Sequence, residues 1–229
     1  VSFDDAAEGR LAFFCLEFNP IAMATFYDTH AHLDYPDYAK DLTEVMGRAQ
    51  DAGITKIISI GTDLESSARA IKLAERFACV FAAVGWHPSN AHEAPDDIRE
   101  PLRKLVKHPK VVAIGETGLD YHHLPGEKSG GNAEDDARYK QKQAEIFRQQ
   151  LEVAVEAGLN CVIHQRDSFD DTLAQLKPFA GRVRGVFHCF GESTDRMRRV
   201  LEIGSLVSFT GIVTFKNGQN VRDTVGATP

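Results

Sequence analysis

The stretch I-T-K-I-I-S-I-G, residues 54–61, is the clearest of seven short runs that are rich in β-branched and apolar side chains. Such a run predicts a strand that is buried on both faces. The segment that follows it, residues 64–77, has the apolar spacing of an amphipathic helix. This strand and helix order repeats along the chain from residue 25 onward. The repetition predicts a parallel sheet that is covered by helices.

The alternation places strands at residues 25–32, 54–61, 80–87, 111–116, 160–164, 184–189 and 205–210. It places helices at residues 37–52, 64–77, 96–107, 134–157, 167–177 and 194–203. Gly53 in D-A-G-I-T and Gly158 in E-A-G-L-N stand where a helix ends before the next strand. Because no G-x-G-x-x-G turn accompanies these units, they favour a barrel over a dinucleotide fold. We therefore predict an α/β protein with a TIM-type (β/α) barrel.

A complete barrel of this type has eight strands, and the sequence shows seven before it reaches G-A-T-P at residues 226–229. We predict a barrel domain at residues 23–229 that lacks its eighth strand at the C-terminus. Residues 1–22 show no clear periodicity, and we predict an extension that is disordered or not native. An open barrel leaves two strand edges unpaired, so we expect residues 1–229 alone to be loosely folded and weakly active.

Composition excludes few function classes. The formal net charge of −7 is no electrostatic signature of a nucleic-acid-binding protein. A polyanionic substrate would therefore have to meet local basic groups and bound cations. The four cysteines lie far apart without a C-x-x-C pair, which predicts reduced thiols in a cytoplasmic protein. No run approaches transmembrane length. We expect a monomer that does not associate with membranes.

Metal-binding side chains stand at the carboxyl ends of five predicted strands. They are His30, His32, His87, Glu116, His164 and His188. The carboxyl ends of barrel strands meet at one mouth, so these side chains should converge there. So many imidazoles with a carboxylate exceed what one structural zinc needs, and a carboxylate can bridge two ions. The pattern therefore predicts two divalent ions that activate a water for hydrolysis.

Six motifs carry a resemblance to a known family: D-T-H-A-H-L-D, G-W-H-P, I-G-E-T-G-L-D-Y, V-I-H-Q-R-D, H-C-F-G and S-F-T-G-I-V-T-F-K-N. In order and spacing, from Met23 to Asn217, the sequence resembles the TatD-type metal-dependent deoxyribonucleases, which are amidohydrolase-like barrel hydrolases. The resemblance implies that one metal is held by His30 and His32 and a second by His164 and His188. Glu116 would bridge the two metals.

The resemblance also implies that His87 acts in catalysis, by contacting the scissile phosphate or its water, together with Glu116. The family's last metal ligand is an aspartate in an E-T-D motif on strand eight, and this sequence contains no such motif. Asp223 is the nearest C-terminal aspartate, but its polar, helical context R-D-T-V does not match. The ligand types leave Mg, Mn, Zn, Co and Ni open.

Substrate contacts are predicted at Arg166 and Tyr121. The guanidinium of Arg166 could clamp a phosphate, although an ion pair with Asp120 or Glu116 is an equal alternative. Tyr121 could stack on an exposed base, although aromatic residues at strand ends are as often packed into the rim. The expected substrate is DNA, either single-stranded or at a 3′ end.

Three functions stay open at the level of sequence. The first is a deoxyribonuclease that cleaves phosphodiester bonds with a two-metal-activated water. The second is a metal-dependent amide or ester hydrolase, such as a deacylase of mischarged tRNA. The subclass with a bridging carbamylated lysine is disfavoured, because Glu116 stands at that lysine's position. The third is a non-catalytic metal-binding fragment, which an E-T-D motif in the full-length gene would argue against.

Overall fold

A computed structural model describes residues 24–122, 124–128 and 130–229. The predicted extension at residues 1–22 lies outside the described residues. Seven parallel strands form one sheet in chain order. They are β1 (Phe26–Ala31), β2 (Ile54–Ile60), β3 (Val80–Val84), β4 (Val111–Asp120), β5 (Asn160–Arg166), β6 (Gly185–Phe187) and β7 (Leu206–Val207). The prediction of a parallel α/β sheet of the TIM-barrel type is confirmed.

Helices follow the strands. They are α1 (Leu42–Asp51), α2 (Leu64–Arg76), α3 (Arg99–Leu105), α4 (Pro125–Lys128), α5 (Ala133–Ala157), α6 (Phe169–Leu176), α7 (Thr194–Glu202) and α8 (Gln219–Ala227). Short 3-10 helices lie at Pro36–Tyr38, Pro88–Glu93, Lys177–Phe179 and Gly211–Thr214. Within the described part of the chain, no helix is both long and apolar enough to cross a membrane.

The longest helix, α5, is fixed at both ends. Asn132 and Asp135 form a reciprocal capping box at its start, which satisfies free N–H groups of the first turn. Gly158 ends the helix in the left-handed conformation with a φ of 65°, as its position before a strand predicts. Phe147 and Leu151 on the inner face are fully buried in the main core. Burial of each such side chain contributes about 1.5 to 3 kcal/mol.

The sheet is curled. The rings of His30, at the end of β1, and His188, just after β6, stack with centroids 4.0 Å apart. These strands are not neighbours in the sheet, so only curvature can bring their ends together. The curl places the carboxyl ends of the strands around one mouth, as a barrel requires.

Strand β4 is longer than its apolar pattern predicts. The apolar pattern predicts an end at Glu116, but the strand continues to Asp120 and stays paired with β5, with Gly118 opposite His164. Gly118 has a φ of 137°, and a Cβ atom there would lie 2.0 Å from the carbonyl oxygen of His164. Only glycine permits this close approach. The extension carries four more residues into the mouth of the sheet.

The last two strands are shorter than predicted. Strand β6 is confined to Gly185–Phe187 and β7 to Leu206–Val207, where the sequence predicts residues 184–189 and 205–210. Beyond these short ladders, isolated bonds continue the contact: Phe190 donates its backbone N–H to the carbonyl of Ser208 at 2.9 Å. Both segments have the strand-like composition that the sequence shows, but regular backbone pairing ends at Phe187 in β6 and at Val207 in β7.

A groove separates the two outer strands of the sheet. It is lined by residues 26–30 on one side and 208–210 on the other, and has a volume of about 520 Å³. Phe26 and Tyr27 are 56% and 60% exposed. Within the described ranges, no strand pairs with the outer edge of β1 or β7. In this part of the chain the barrel is open at that seam.

Candidate metal centre

One buried carboxylate, that of Glu116, occupies the middle of the mouth. Its side chain is only 3% exposed. The Oε2 atom faces the histidines of β1, at 3.3 Å from Nε2 of His30 and 3.7 Å from Nε2 of His32. Those two Nε2 atoms are 3.3 Å apart. Alternation along the strand puts both rings on the same face, as the H-x-H spacing predicts.

The Oε1 atom of Glu116 faces a second set of histidines. Nδ1 of His164 lies 3.0 Å away and Nε2 of His87 lies 3.5 Å away, and Nε2 of His188 also contacts this oxygen. The two oxygens of one carboxylate are thus divided between two groups of imidazoles. All five predicted metal ligands meet here, and His87 lies among them.

The environment keeps Glu116 ionised. Burial by itself raises the pKa of this carboxyl group, but hydrogen bonds from His164, His188, His30 and His87 outweigh it and hold the pKa well below its usual range. Burial lowers the pKa of His32 and of His188, which favours the neutral imidazole. An ionised carboxylate with neutral imidazoles, as at His32 and His188, is the state that binds divalent metals. At His164 burial lowers the pKa, but hydrogen bonds with Asp120 and Glu116 outweigh it and raise the pKa to about 9, so a bound metal would have to displace a proton from this ring.

In His32 and His87, the partner of the ring nitrogen Nδ1 determines whether Nε2, which faces Glu116, carries a lone pair or a proton. Nδ1 of His32 lies 3.3 Å from the carbonyl oxygen of Ile60, which fixes the proton on Nδ1 and leaves the Nε2 lone pair for a metal. His87 is the opposite case. Its Nδ1 accepts the backbone N–H of Ser89 at 3.1 Å, so the neutral ring carries its proton on Nε2. His87 therefore presents a donor to the site, and His32 presents an acceptor.

The donor set fits divalent metal ions. Two groups have ligand atoms that all lie within 4.8 Å of one another: His30, His32 and Glu116 form one, and His87, Glu116 and His164 form the other. Imidazole nitrogens with a shared carboxylate suit Zn, Mn, Co and Ni, and Mg less well. Because His87 is held as an Nε2–H donor, His164 is the histidine of the second group whose ring nitrogen could hold a metal.

Asp120 is a site residue that the sequence analysis did not identify. The sequence suggests Asp120 only as a partner for Arg166, yet Oδ2 of Asp120 lies 2.9 Å from Nε2 of His164. A sequence signal exists: in I-G-E-T-G-L-D, Glu116 and Asp120 are four residues apart and share one face of a strand. Ending the strand at Glu116 hides this relationship.

The predicted substrate residues lie at the rim. Arg166 is exposed, and its guanidinium forms no ion pair with Asp120 or Glu116. That structural alternative is therefore wrong. The hydroxyl of Tyr121 donates to Asp171 at 3.0 Å, and the ammonium of Lys140 lies 4.6 Å from the ring centroid. One face of Tyr121 is thus already covered by a cation.

Two aromatic side chains near the strand ends, and Asp223, are occupied by structural contacts. Trp86 is buried, and its indole N–H donates to the carbonyl of Asn90 at 2.8 Å. Phe190 is buried against Phe169 and Phe209. Asp223 lies on α8, is exposed and accepts a hydrogen bond from Gln219 at 2.8 Å. It belongs to neither ligand group.

An open (β/α) barrel with histidines around a buried carboxylate at its mouth is the arrangement of a metal-dependent hydrolase. The sequence profile of the family described as "TatD related DNase" matches residues 27–229. The chain therefore belongs to the TatD-related DNase family.

Individual relatives agree with this assignment. The chain is 37% identical over 204 residues to the uncharacterized metal-dependent hydrolase YabD of Bacillus subtilis, covering 89% of this chain and 75% of the relative. It is 31% identical over 188 residues to a protein of Citrobacter koseri named 3′-5′ ssDNA/RNA exonuclease TatD, covering 82% and 68%. The crystal structure of the TatD homologue YJJV from Escherichia coli matches with a TM-score of 0.79 and 30% identity, covering 89% and 75%.

Proposed function

We propose that this metal-dependent hydrolase is a deoxyribonuclease that cleaves phosphodiester bonds with the help of two divalent ions. The main support for the proposal is that the two carboxylate oxygens of Glu116 face different histidine pairs. Oε2 faces His30 and His32, and Oε1 faces His164 and His188. A carboxylate with ligands on both of its oxygens is suited to hold two ions side by side. In the proposal, each histidine pair supplies two of one ion's protein ligands, and Glu116 supplies one oxygen to each ion.

The ions, when bound, supply Lewis-acid stabilisation of the charge that develops during displacement at phosphorus. The protein's part is to hold the ligands and to exclude water around them. The side chains of His30, His164 and His188 are each 15% to 16% exposed, and that of Glu116 is 3% exposed. This partial burial strengthens the electrostatic interaction between the site and a phosphoryl group.

His87 has a separate part in the proposal. Its Nε2–H is fixed by the bond that Nδ1 accepts from Ser89, so this nitrogen can donate to a phosphoryl oxygen or protonate a leaving oxygen. It lies 3.2 Å from Nδ1 of His164 and 3.5 Å from Oε1 of Glu116, which places the donor at the ligand cluster itself. This agrees with the role of His87 that the family resemblance implies.

Nucleic acid is the proposed substrate class, as single-stranded DNA or a 3′ end. Support comes from the family and from the relative named as an ssDNA/RNA exonuclease. The net charge of −7 does not oppose this, because bound cations and rim residues meet the phosphate locally. Arg166 is the proposed phosphate contact, since its guanidinium is exposed at the end of β5. Stacking of Tyr121 on a base is part of the same proposal.

The cellular setting is also proposed. Three cysteines within the described residues, Cys79, Cys161 and Cys189, are free thiols. Free thiols support a reducing compartment such as the cytoplasm. We further propose a monomer.

The test is Glu116→Gln in the full-length protein. Glutamine keeps the size of the side chain but removes the charge and one acceptor oxygen. We expect the loss of metal-dependent cleavage of a labelled single-stranded DNA, with the fold preserved. The control is Glu145→Gln on the exposed surface of α5, which should cleave as the unmodified protein does.

The competing functions give different results in the same experiment. Undiminished DNA cleavage by Glu116→Gln would remove Glu116 from the mechanism and refute the proposal. If the unmodified protein hydrolyses aminoacyl esters or amides but not phosphodiesters, the substrate class is wrong and the ester or amide hydrolase is right. Metal binding without hydrolysis of any of these substrates would favour the non-catalytic alternative.

A further inference from the structure

The carboxylate of Asp120 lies against the far side of the His164 ring. Oδ2 of Asp120 is 2.9 Å from Nε2 of His164, and Nδ1 of the same ring is 3.0 Å from Oε1 of Glu116. The side chain of Asp120 is 5% exposed. One imidazole therefore bridges the ligand cluster and a second, buried carboxylate.

Asp120 is itself held on several sides. Its Oδ1 accepts the backbone N–H of His122 at 2.9 Å. Gln143 on α5, fully buried, accepts the Asp120 backbone N–H at 2.8 Å and donates its own amide N–H to the Asp120 carbonyl at 2.9 Å. This reciprocal pair fixes the backbone of Asp120. The carboxylate therefore has a defined direction toward His164.

We propose that Asp120 is a positioning residue for the metal ligand His164, with Gln143 as its support. The inference rests on the proposed function, in which His164 helps to hold one of two ions. By accepting a hydrogen bond from Nε2–H, Asp120 keeps the ring's proton on Nε2, which leaves the lone pair of Nδ1 for the ion and makes that nitrogen more basic. It also prevents rotation of the ring away from Glu116.

The effect should be confined to one of the two ions. On the other side of the site, the far nitrogen of His32 has a neutral partner, the carbonyl of Ile60 at 3.3 Å. The partner of His164 is a carboxylate at 2.9 Å, and a charged acceptor forms the stronger hydrogen bond. Loss of Asp120 should therefore lower the affinity for the ion held by His164 and His188 and leave the affinity for the ion held by His30 and His32 unchanged.

The test compares Asp120→Asn and Asp120→Ala in the full-length protein. The matched control is Asp51→Asn, because Asp51 is exposed at the end of α1, away from the mouth. Metal-free proteins are titrated with Mn²⁺ by calorimetry, and Co²⁺ binding is followed by its visible absorption. Thermal unfolding of each metal-free variant establishes that it is folded.

We expect two binding events in the unmodified protein. In Asp120→Asn one event should weaken about 10- to 100-fold, and the other should stay within a factor of two. Asp120→Ala should weaken the same event more, since asparagine retains an acceptor oxygen and alanine does not. The Co²⁺ spectrum of that one event should change with it. Gln143→Leu should act in the same direction and more weakly.

The opposing results are distinct. Two unchanged binding events in both Asp120 variants would overturn the inference and leave the proposed function intact. Equal weakening of both ions would also overturn it, because the effect would then not act through His164. If the unmodified protein binds two ions and Glu116→Gln binds both with unchanged affinity, the proposed function is refuted, whatever the result for the Asp120 variants.

Discussion

Replacement of Gln150 by leucine should destabilise the protein strongly, because the Gln150 side chain is the hydrogen-bond partner of the Trp86 backbone. Gln150 is fully buried on α5, where its Oε1 accepts the backbone N–H of Trp86 at 2.8 Å and its Nε2 donates to the Trp86 carbonyl at 3.0 Å. Leucine has a similar volume but no hydrogen-bonding atoms. Gln150→Leu therefore leaves two buried backbone groups without their partner.

The expected loss follows from counting those groups. An unsatisfied buried donor or acceptor costs about 1 to 3 kcal/mol, so two cost about 2 to 6 kcal/mol. A protein stabilised by about 5 to 15 kcal/mol would lose a large part of its free energy of unfolding. The control is Gln141→Leu, an exposed position on the same helix, where a change within about 0.5 kcal/mol is expected.

Urea unfolding provides the measurement, with two probes. Circular dichroism reports the whole fold, and fluorescence reports the loop directly because Trp86 is the only tryptophan in the sequence. Gln150→Leu should shift the native emission to longer wavelength as the indole gains contact with water. If its stability stays within about 0.5 kcal/mol of the unmodified protein and the emission is unchanged, the Gln150 pair does not hold this loop.

Two further predictions concern the histidines. His87→Ala should reduce the rate of DNA cleavage but retain the affinity for metal, whereas His188→Ala should lose metal binding. Calorimetry measures metal binding, and a cleavage assay on the same variants measures the rate. Loss of metal binding in His87→Ala would contradict the donor role of His87. For His164, burial lowers the pKa but hydrogen bonds to Asp120 and Glu116 outweigh it and raise it to about 9. A group whose pKa is higher in the folded state stabilises the fold most at pH values below its unfolded-state pKa, which is 6.5 for this histidine. As the pH rises from 6.5 to about 9, the free energy of unfolding of the metal-free protein should therefore fall by up to about 3 kcal/mol. Urea unfolding across this range checks the sign, and constant stability would contradict it.

Much of the site could be predicted from the sequence because it depends on strand ends. In a parallel barrel the last residue of each strand reaches the same mouth whatever the strand's length or twist. His30, His32 and His164 needed only the strand pattern to be placed there. Glu116 needed the same pattern and the knowledge that carboxylates bridge metals.

The rest depends on the contacts of individual atoms, which periodicity does not report. The extension of β4 to Asp120 requires the close approach of Gly118 to the carbonyl of His164. The spacing of apolar residues does not predict such an approach. The buried glutamines left a weaker signal. Gln143 and Gln150 are seven residues apart, so they share the inner face of α5 with Phe147. A polar residue on an apolar face needs a partner, but the sequence does not say which backbone provides it.

The tautomers of the histidines separate two roles that the sequence cannot separate. His32 and His87 both follow a strand, one directly after β1 and the other three residues after β3, and both place Nε2 near Glu116. A carbonyl oxygen faces the far nitrogen of His32, while a backbone N–H faces that of His87. The first arrangement frees a lone pair at the carboxylate and the second puts a proton there. The backbone behind each ring, at Ile60 and Ser89, therefore decides which imidazole can bind a metal and which can donate to a substrate.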